Sequence, residues 1–297
     1  MIKHFVDIEN FSSKEINTIF LLAMKFKKNE KKYNTILQNK SLALLFEKES
    51  TRTRTSFNIG MQKLGGKVIE LDYKSIGFGK RESEEDILKT LSQYIDCIVI
   101  RNHNHKKIKN YASLNVLPII NGLSDYSHPC QILSDIFTLK EKFGNLKKRK
   151  ISWIGDYNNV LRSLIQIQKL FLFELQIALP KNIIKNYISI FKKLSNSRVV
   201  FTDSIEKAVK KSDCVMTDTW VSMGESSSKK KVNFTNYQVN DKIMKMAKKS
   251  AIFMHCLPAH REEEVTNKVI DGQQSIVWEQ AKNRMYVQQA ILHYILN

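Results

Sequence analysis

The stretch LALLFEKESTRTRTSFNIGMQKLGG, residues 42–66, decides the fold. It opens on five apolar residues, 42–46, which read as a strand buried on both faces. A polar turn follows, and apolar residues then recur at helical spacing over 54–64 until Gly65 and Gly66 stop the pattern. A strand feeding a helix through a short polar turn is the opening of a parallel βα unit. The unit recurs along the chain. Short apolar runs at 67–71, 97–100, 116–120, 150–154, 175–178, 198–202, 214–217 and 251–254 predict further strands. Helical patterns at 84–94, 131–143, 161–172 and 237–247 lie between them, and an amphipathic helix closes the chain at 279–296. The expected class is therefore α/β, with parallel sheets flanked by helices. Gly144, Asn145 and a lysine run interrupt the pattern over 143–150, so two sheets in two domains are expected. These are 1–143, joined by the C-terminal helix 279–297, and 144–278.

Composition excludes several classes. With 4 Pro and 10 Gly in 297 residues, the chain is neither collagen-like nor a Pro/Gly-rich disordered protein. No apolar run approaches the roughly 20 residues of a membrane-spanning helix, so no membrane partner is expected. The N-terminus lacks an apolar signal core, and Cys97, Cys130, Cys214 and Cys256 are scattered without paired spacing. A cytoplasmic protein with neither disulfides nor a bound metal is the expectation. The net charge of +19 invites a nucleic-acid partner. Lys outnumbers Arg about four to one, however, and is spread through the chain, whereas Arg is the residue that grips phosphates bidentately. No nucleic-acid partner is expected.

Chemistry-bearing residues collect at predicted strand exits, the edge where parallel sheets bind ligands. Ser50-Thr51-Arg52-Thr53-Arg54-Thr55 sits between a strand and a helix start. Backbone N–H groups, hydroxyls and guanidinium groups there suit a phosphate. Simple capping accounts for one hydroxyl, not for four interleaved with two arginines. Arg101 ends one strand and Asp218 ends another, in corresponding halves of the chain. His128-Pro129-Cys130-Gln131 opens a helix, with Pro129 suited to its first turn. Gly155-Asp156-Tyr157-Asn158-Asn159 follows a strand but lacks the dinucleotide fingerprint. Asp218-Thr219-Trp220-Val221-Ser222-Met223-Gly224 and His255-Cys256-Leu257-Pro258 complete the set. Cys256, beside His at a strand end, has the setting of a nucleophile, although a Cys near an apolar strand is more often packing filler. Sites at strand exits in both halves imply one active site in the cleft between two domains.

These motifs together resemble the ornithine carbamoyltransferase family, over a span from His4 to the C-terminus. The first three elements are shared with aspartate carbamoyltransferases. The Ser-Met-Gly loop and His-Cys-Leu-Pro point to ornithine. The resemblance implies that Ser50, Thr51, Arg52 and Thr53 hold the phosphate of carbamoyl phosphate, with Arg101 bridging phosphate and carbonyl oxygen. It implies that His128 donates to that oxygen, that Gln131 binds the carbamoyl amide, and that Cys256, the Leu257 carbonyl and Arg284 complete the pocket. Asn159, Asp218, Ser222 and Met223 would hold L-ornithine, with Cys256 and Asp218 beside the reacting amine. Direct attack by the amine gives citrulline and phosphate without a cofactor. The resemblance further implies a homotrimer and a place in arginine biosynthesis, although the same chemistry would serve arginine breakdown. The competing readings are a related carbamoyltransferase acting on putrescine or an N-acylornithine, and a non-catalytic basic binding protein. One departure stands out. Gly77 occupies a position where the family usually has a Gln that reaches a neighbouring subunit's phosphate, and Lys80-Arg81 follows where Arg-Gly is usual.

Overall fold

The computed structural model describes residues 2–79, 81–220 and 233–297. The chain forms two compact units: 1–137 with 282–297, and 138–281. Each is built on one parallel sheet.

In the first unit, helix α1 (Ser13–Lys28) is opened by a capping box between Ser12 and Glu15. There follow β1 (Ser41–Phe46), α2 (Thr51–Lys63), β2 (Lys67–Asp72), α3 (Glu84–Leu91), β3 (Cys97–Arg101), α4 (His105–Ser113), β4 (Ile119–Leu123) and the start of α5 (Pro129–Phe143). The sheet order is β2-β1-β3-β4. Ala43, Leu45, Ile98, Ile100 and Ile119 pack with Leu88, Ile108 and Tyr111 into one core cluster. The edge strand β2 is mostly exposed, and Lys67, Glu70 and Asp72 guard it against further pairing.

The second unit contains β5 (Lys150–Ile154), α6 (Asn159–Phe171), β6 (Glu174–Ala178), α7 (Lys181–Asn186), α8 (Ile188–Leu194), β7 (Val199–Thr202), α9 (Ile205–Val209), β8 (Cys214–Thr217), α10 (Asp241–Met246), β9 (Ile252–His255) and α11 (Asn267–Ile270). Its sheet order is β7-β6-β5-β8-β9, the doubly wound arrangement. Ile154, Ala178, Val215, Phe253 and Val265 anchor its core. The last helix, α12 (Val277–Leu296), spans the boundary at 281/282.

Topology dictates where ligands can bind. In each sheet the winding direction reverses at one place, between β1 and β3 in the first unit and between β5 and β8 in the second. A crevice opens beyond the carboxyl ends of the strands at such a switch point. Phe46 pairs with Arg101 at the first, and Ile154 with Thr217 at the second. The Ser50 motif and Arg101 therefore exit together, as do the Gly155 turn and Asp218.

Three of the differences from the sequence reading have a clear local cause. The fourth strand runs Ile119–Leu123 rather than over 116–120, because Pro118 precedes it without a backbone donor and the chain continues extended through Asn121 and Gly122. Helix α2 begins at Thr51, so its polar first turn is helical. The pattern at 237–247 resolves into a 3₁₀ turn at Thr235–Tyr237 and α10, separated by the Asn240 cap.

Gly65 ends the segment that carries the Ser50 motif at φ +86°, and a β-carbon there would lie 2.5 Å from the Asn34 carbonyl oxygen. Gly65→Ala is expected to destabilise the protein by about 1–3 kcal/mol, from left-handed backbone strain and this clash. An unchanged urea midpoint would contradict that assignment.

Candidate active site

The first half of the site is assembled within the first unit. Ser50 is the N-cap of α2, and its side chain makes no capping bond. The first turn thus presents backbone donors and the positive end of the helix dipole. Thr53 is buried one turn in. From the C-terminal helix, Arg284 reaches the same place with only 3% of its surface exposed. Its Nη2 donates to Thr53 Oγ1 at 2.8 Å, and its Nη1 donates to Gln131 Oε1. Gln131 in turn donates through Nε2 to Asp135 Oδ1 at 2.8 Å, which fixes the direction of its amide. The helix that carries Arg284 is held by Gln289 Nε2 donating to the Gly60 carbonyl at 3.2 Å and by Lys27 bonded to Asn283 at 2.9 Å.

Electrostatics define what this pocket accepts. Arg101, at the end of β3, keeps its Nε buried without a hydrogen-bond partner. Burial, and then the charges of Arg52 and Arg284, lower its pKa to about 10, which still leaves it protonated at neutral pH. His128 is buried beside the same three guanidinium groups. Burial, then Arg284, Arg101 and Arg52, hold it well below the usual imidazole range. It is therefore neutral, and carries one N–H donor and one acceptor. Three cations converging on a neutral imidazole at a helix N-terminus form an anion site with an additional uncharged donor.

The second half lies at the other switch point. Gly155 adopts φ +130° after β5, and Asn158 caps α6 by accepting from Leu161 N at 3.0 Å. Asn158 Nδ2 also donates to Asp218 Oδ2 at 2.6 Å. The Cys256 thiol donates to the other carboxylate oxygen, Oδ1, at 2.8 Å. Asp218 is buried, and these two donors aim a carboxylate that can receive an ammonium or amine. His255 is locked beneath. Its Nδ1 accepts from Leu257 N at 2.9 Å, so Nε2 carries the proton shared with Glu264 Oε1 at 3.0 Å. Leu257 sits at φ +58°, a left-handed backbone conformation unusual for leucine. Asp218, His255 and Cys256 lie close enough to surround a cation, but both imidazole nitrogens of His255 are engaged, so a three-ligand site does not fit.

The structure thus groups Ser50, Thr51, Arg52, Thr53, Arg101, His128, Gln131 and Arg284 in one unit, and Asn159, Asp218, Cys256 and Leu257 in the other. Ser222 and Met223 lie outside the described residues, as does Lys80. Gly77 occupies a turn at φ +62°, with its carbonyl accepting from Arg81 N at 3.1 Å, a conformation that favours glycine. Sequence reasoning missed Asn158 and Asp135. The former had a signal, since an Asn directly before an apolar helix is a capping residue. It named Cys130 only within the His128 motif. Burial pushes that thiol up to about 12, so it is inert packing, while Cys256 is only partly buried.

Comparison with known proteins bears on both halves. Residues 3–141 match the carbamoyl-P binding domain of aspartate/ornithine carbamoyltransferase, and residues 147–295 match its Asp/Orn binding domain. An ornithine carbamoyltransferase of Ruthia magnifica is 45% identical over 301 residues, covering 100% of both chains. One of Rhodopseudomonas palustris is 42% identical, over 98% of this chain and 96% of its own. Among solved structures, ornithine carbamoyltransferase from Thermus thermophilus superposes with a TM-score of 0.90 at 34% identity, covering 100% of each chain. The Pyrococcus furiosus enzyme gives 0.87 at 38% identity, over 98% of this chain and 96% of that one.

The lowered pKa of His128 fixes a sign. Above about pH 6.5 the ring is neutral both folded and unfolded and has no effect on stability. As pH falls through that value the unfolded chain takes up a proton that the folded site refuses, so stability is lost. His128 ring resonances are expected to stay constant from about pH 8 to about pH 6, and a titration midpoint near the ordinary value of about 6.5 would contradict the buried-cation account.

Proposed function

The chain belongs to the aspartate/ornithine carbamoyltransferase family, and on that premise we propose that its two half-sites cooperate in carbamoyl transfer to L-ornithine. The reaction gives L-citrulline and phosphate. The observation that carries this reading is the convergence of Arg52, Arg101 and Arg284 on neutral His128 beside the N-terminus of α2.

Carbamoyl phosphate is an activated acyl donor, so the protein needs only to place it and to stabilise charge. Ser50, Thr51, Arg52 and Thr53 hold the phosphate. Arg101 spans phosphate and carbonyl oxygen, and His128, uncharged, donates to the same oxygen. As the amine attacks the carbonyl carbon, that oxygen becomes negative, and the pre-aimed donors stabilise it. Phosphate then departs into the arginine cluster as the C–O bond breaks, and takes the proton that the attacking nitrogen must shed. Gln131, whose Oε1 keeps a lone pair beyond the one given to Arg284, accepts from the carbamoyl amide, and the Leu257 carbonyl does the same.

The acceptor must react as a neutral amine. An amine with pKa of about 10.4 costs roughly 4.6 kcal/mol to present unprotonated at neutral pH. The arginine cluster disfavours the ammonium form, while Asp218 and Cys256 orient the amine. Cys256 acts as a thiol hydrogen-bonded to Asp218, not as a covalent nucleophile. Asn159, Ser222 and Met223 hold the amino-acid end. The reading requires both half-sites to meet over one substrate pair in a cleft between the domains 1–143 (with 279–297) and 144–278. It also assigns the protein to the cytoplasm as a homotrimer, in which Gly77 supplies no side chain to a neighbouring phosphate site. Putrescine and N-acylornithine are disfavoured as acceptors by the Ser222-Met223-Gly224 loop.

Purified protein is expected to form citrulline from carbamoyl phosphate and ornithine, but no carbamoylated product from putrescine or N-acetylornithine. Arg101→Ala should lower kcat by about 10²–10³, the usual loss for an oxyanion donor, while the protein stays folded. Asp218→Asn should raise KM for ornithine at least about tenfold with little change for carbamoyl phosphate. Near-normal kcat in the first variant, or equal loss for both substrates in the second, would refute the assignment.

A further inference from the structure

We infer that Asp7 and His105 form a buried positioning pair that holds the loop delivering His128; the inference rests on the reading of the site given above. Neither residue belongs to a motif that touches substrate in that reading.

Asp7 is fully buried, and Ser127 beside it is buried too. A carboxylate is costly to bury unless donors surround it. Oδ1 accepts from Ile8 N at 2.8 Å and from the Ser127 hydroxyl at 2.9 Å. Oδ2 faces His105 Nε2 at 3.6 Å. Burial opposes the charged form, but the nearby His105 ring and the bonds from Ser127 and Ile8 outweigh it and keep the carboxyl below its ordinary range. Asp7 reaches this place because the N-terminal segment pairs along β4. Phe5 N donates to the Ile119 carbonyl and Asn121 N to the Phe5 carbonyl, both at 2.8 Å.

His105 opens α4, just beyond the strand that ends in Arg101. Its backbone N donates to Asp125 Oδ1 at 3.0 Å, its Nδ1 shares a hydrogen bond with Ser124 Oγ at 2.8 Å, and its ring lies 5.1 Å from that of Tyr126. His105 therefore touches Ser124, Asp125 and Tyr126, and Asp7 binds Ser127. Between them they contact each of the four residues that separate β4 from His128. Ser127 is closed further by its carbonyl accepting from Ser124 N at 2.9 Å and Ser124 Oγ at 3.2 Å. With the Ser127 peptide fixed, the direction in which His128 enters the arginine cluster is fixed as well. A well-packed apolar pair would contribute stability at this position at least as well as a buried carboxylate facing an imidazole. The charge is placed against the one loop whose geometry the oxyanion donor requires.

Asp7→Asn keeps the size and the acceptor for Ile8 and Ser127 but removes the charge facing His105. We expect kcat to fall about 10- to 100-fold, the scale set by a sub-ångström to 1 Å displacement of a reacting group, with KM for ornithine unchanged within about twofold. His105→Ala is expected to behave alike, and the double variant to lose no more than the worse single one, because both act through one loop. A lowered melting midpoint with normal kcat, a matching rise in ornithine KM, or losses that multiply in the double variant would each overturn the inference. Should the wild-type protein make no citrulline, the parent reading fails instead. The pair is then tested by His128 ring resonances, which shift in Asp7→Asn if the pair holds the loop and stay in place if it does not.

Discussion

Burying like charges together is the constraint on which this molecule turns. Arg284 is sealed from solvent while it donates to Thr53 and Gln131, and its charge acts on both Arg101 and His128. No folding advantage comes from bringing guanidinium groups into mutual repulsion in a low-dielectric site. The arrangement makes sense as a site whose missing charge arrives with the ligand. In the proposed reaction a dianionic phosphate would relieve the repulsion, and a neutral carbonyl beside it would meet donors already aimed at the oxygen that becomes negative. The neutrality of His128 follows from its burial first and from the same repulsion second. In the proposed site the cations that would hold phosphate also help keep the imidazole uncharged, and an uncharged N–H donor would serve the carbonyl without competing for the phosphate.

The fold supplies the address of each group. Both sheets reverse their winding once, and each reversal opens a crevice at strand ends. The first receives the Ser50 turn and Arg101, and the C-terminal helix adds Arg284. The second receives the Asn158 cap, Asp218 and Cys256. The proposed division of labour between an anion half and an amine half would thus be a property of two sheet topologies rather than of one loop. The family relationship, with domain matches to both halves, accords with that division.

Much of this was legible in the residues, and the parts that were not have identifiable causes. Continuous apolar runs marked β1, β3 and β8, because strands covered on both faces need no polar alternation. Charged or hydroxylic residues directly after those runs marked the site. In β4 the pattern failed: Asn121 and Gly122 lie inside the strand, and Asn121 is satisfied by donating to the Val6 carbonyl at 3.0 Å, a contact 115 residues away in sequence. The tie between Asp7 and Ser127 spans 120 residues and was invisible for the same reason. Arg284 was found through family resemblance, since an arginine in a long amphipathic helix ordinarily points to water. The role of Asn158 hid behind Asn159, because capping and ligand-side contacts draw on the same residue type.

The central claim is that the arginine cluster is an anion site completed by phosphate. Its most direct test is the melting midpoint of the protein against rising inorganic phosphate at constant ionic strength. A ligand that binds only the folded state stabilises it by about 2.7 kcal/mol at a hundredfold excess over Kd. The midpoint of the wild-type protein is predicted to climb steadily with phosphate, and that climb is predicted to vanish in Arg101→Gln. No climb in the wild type, or the same climb in both proteins, would contradict the account.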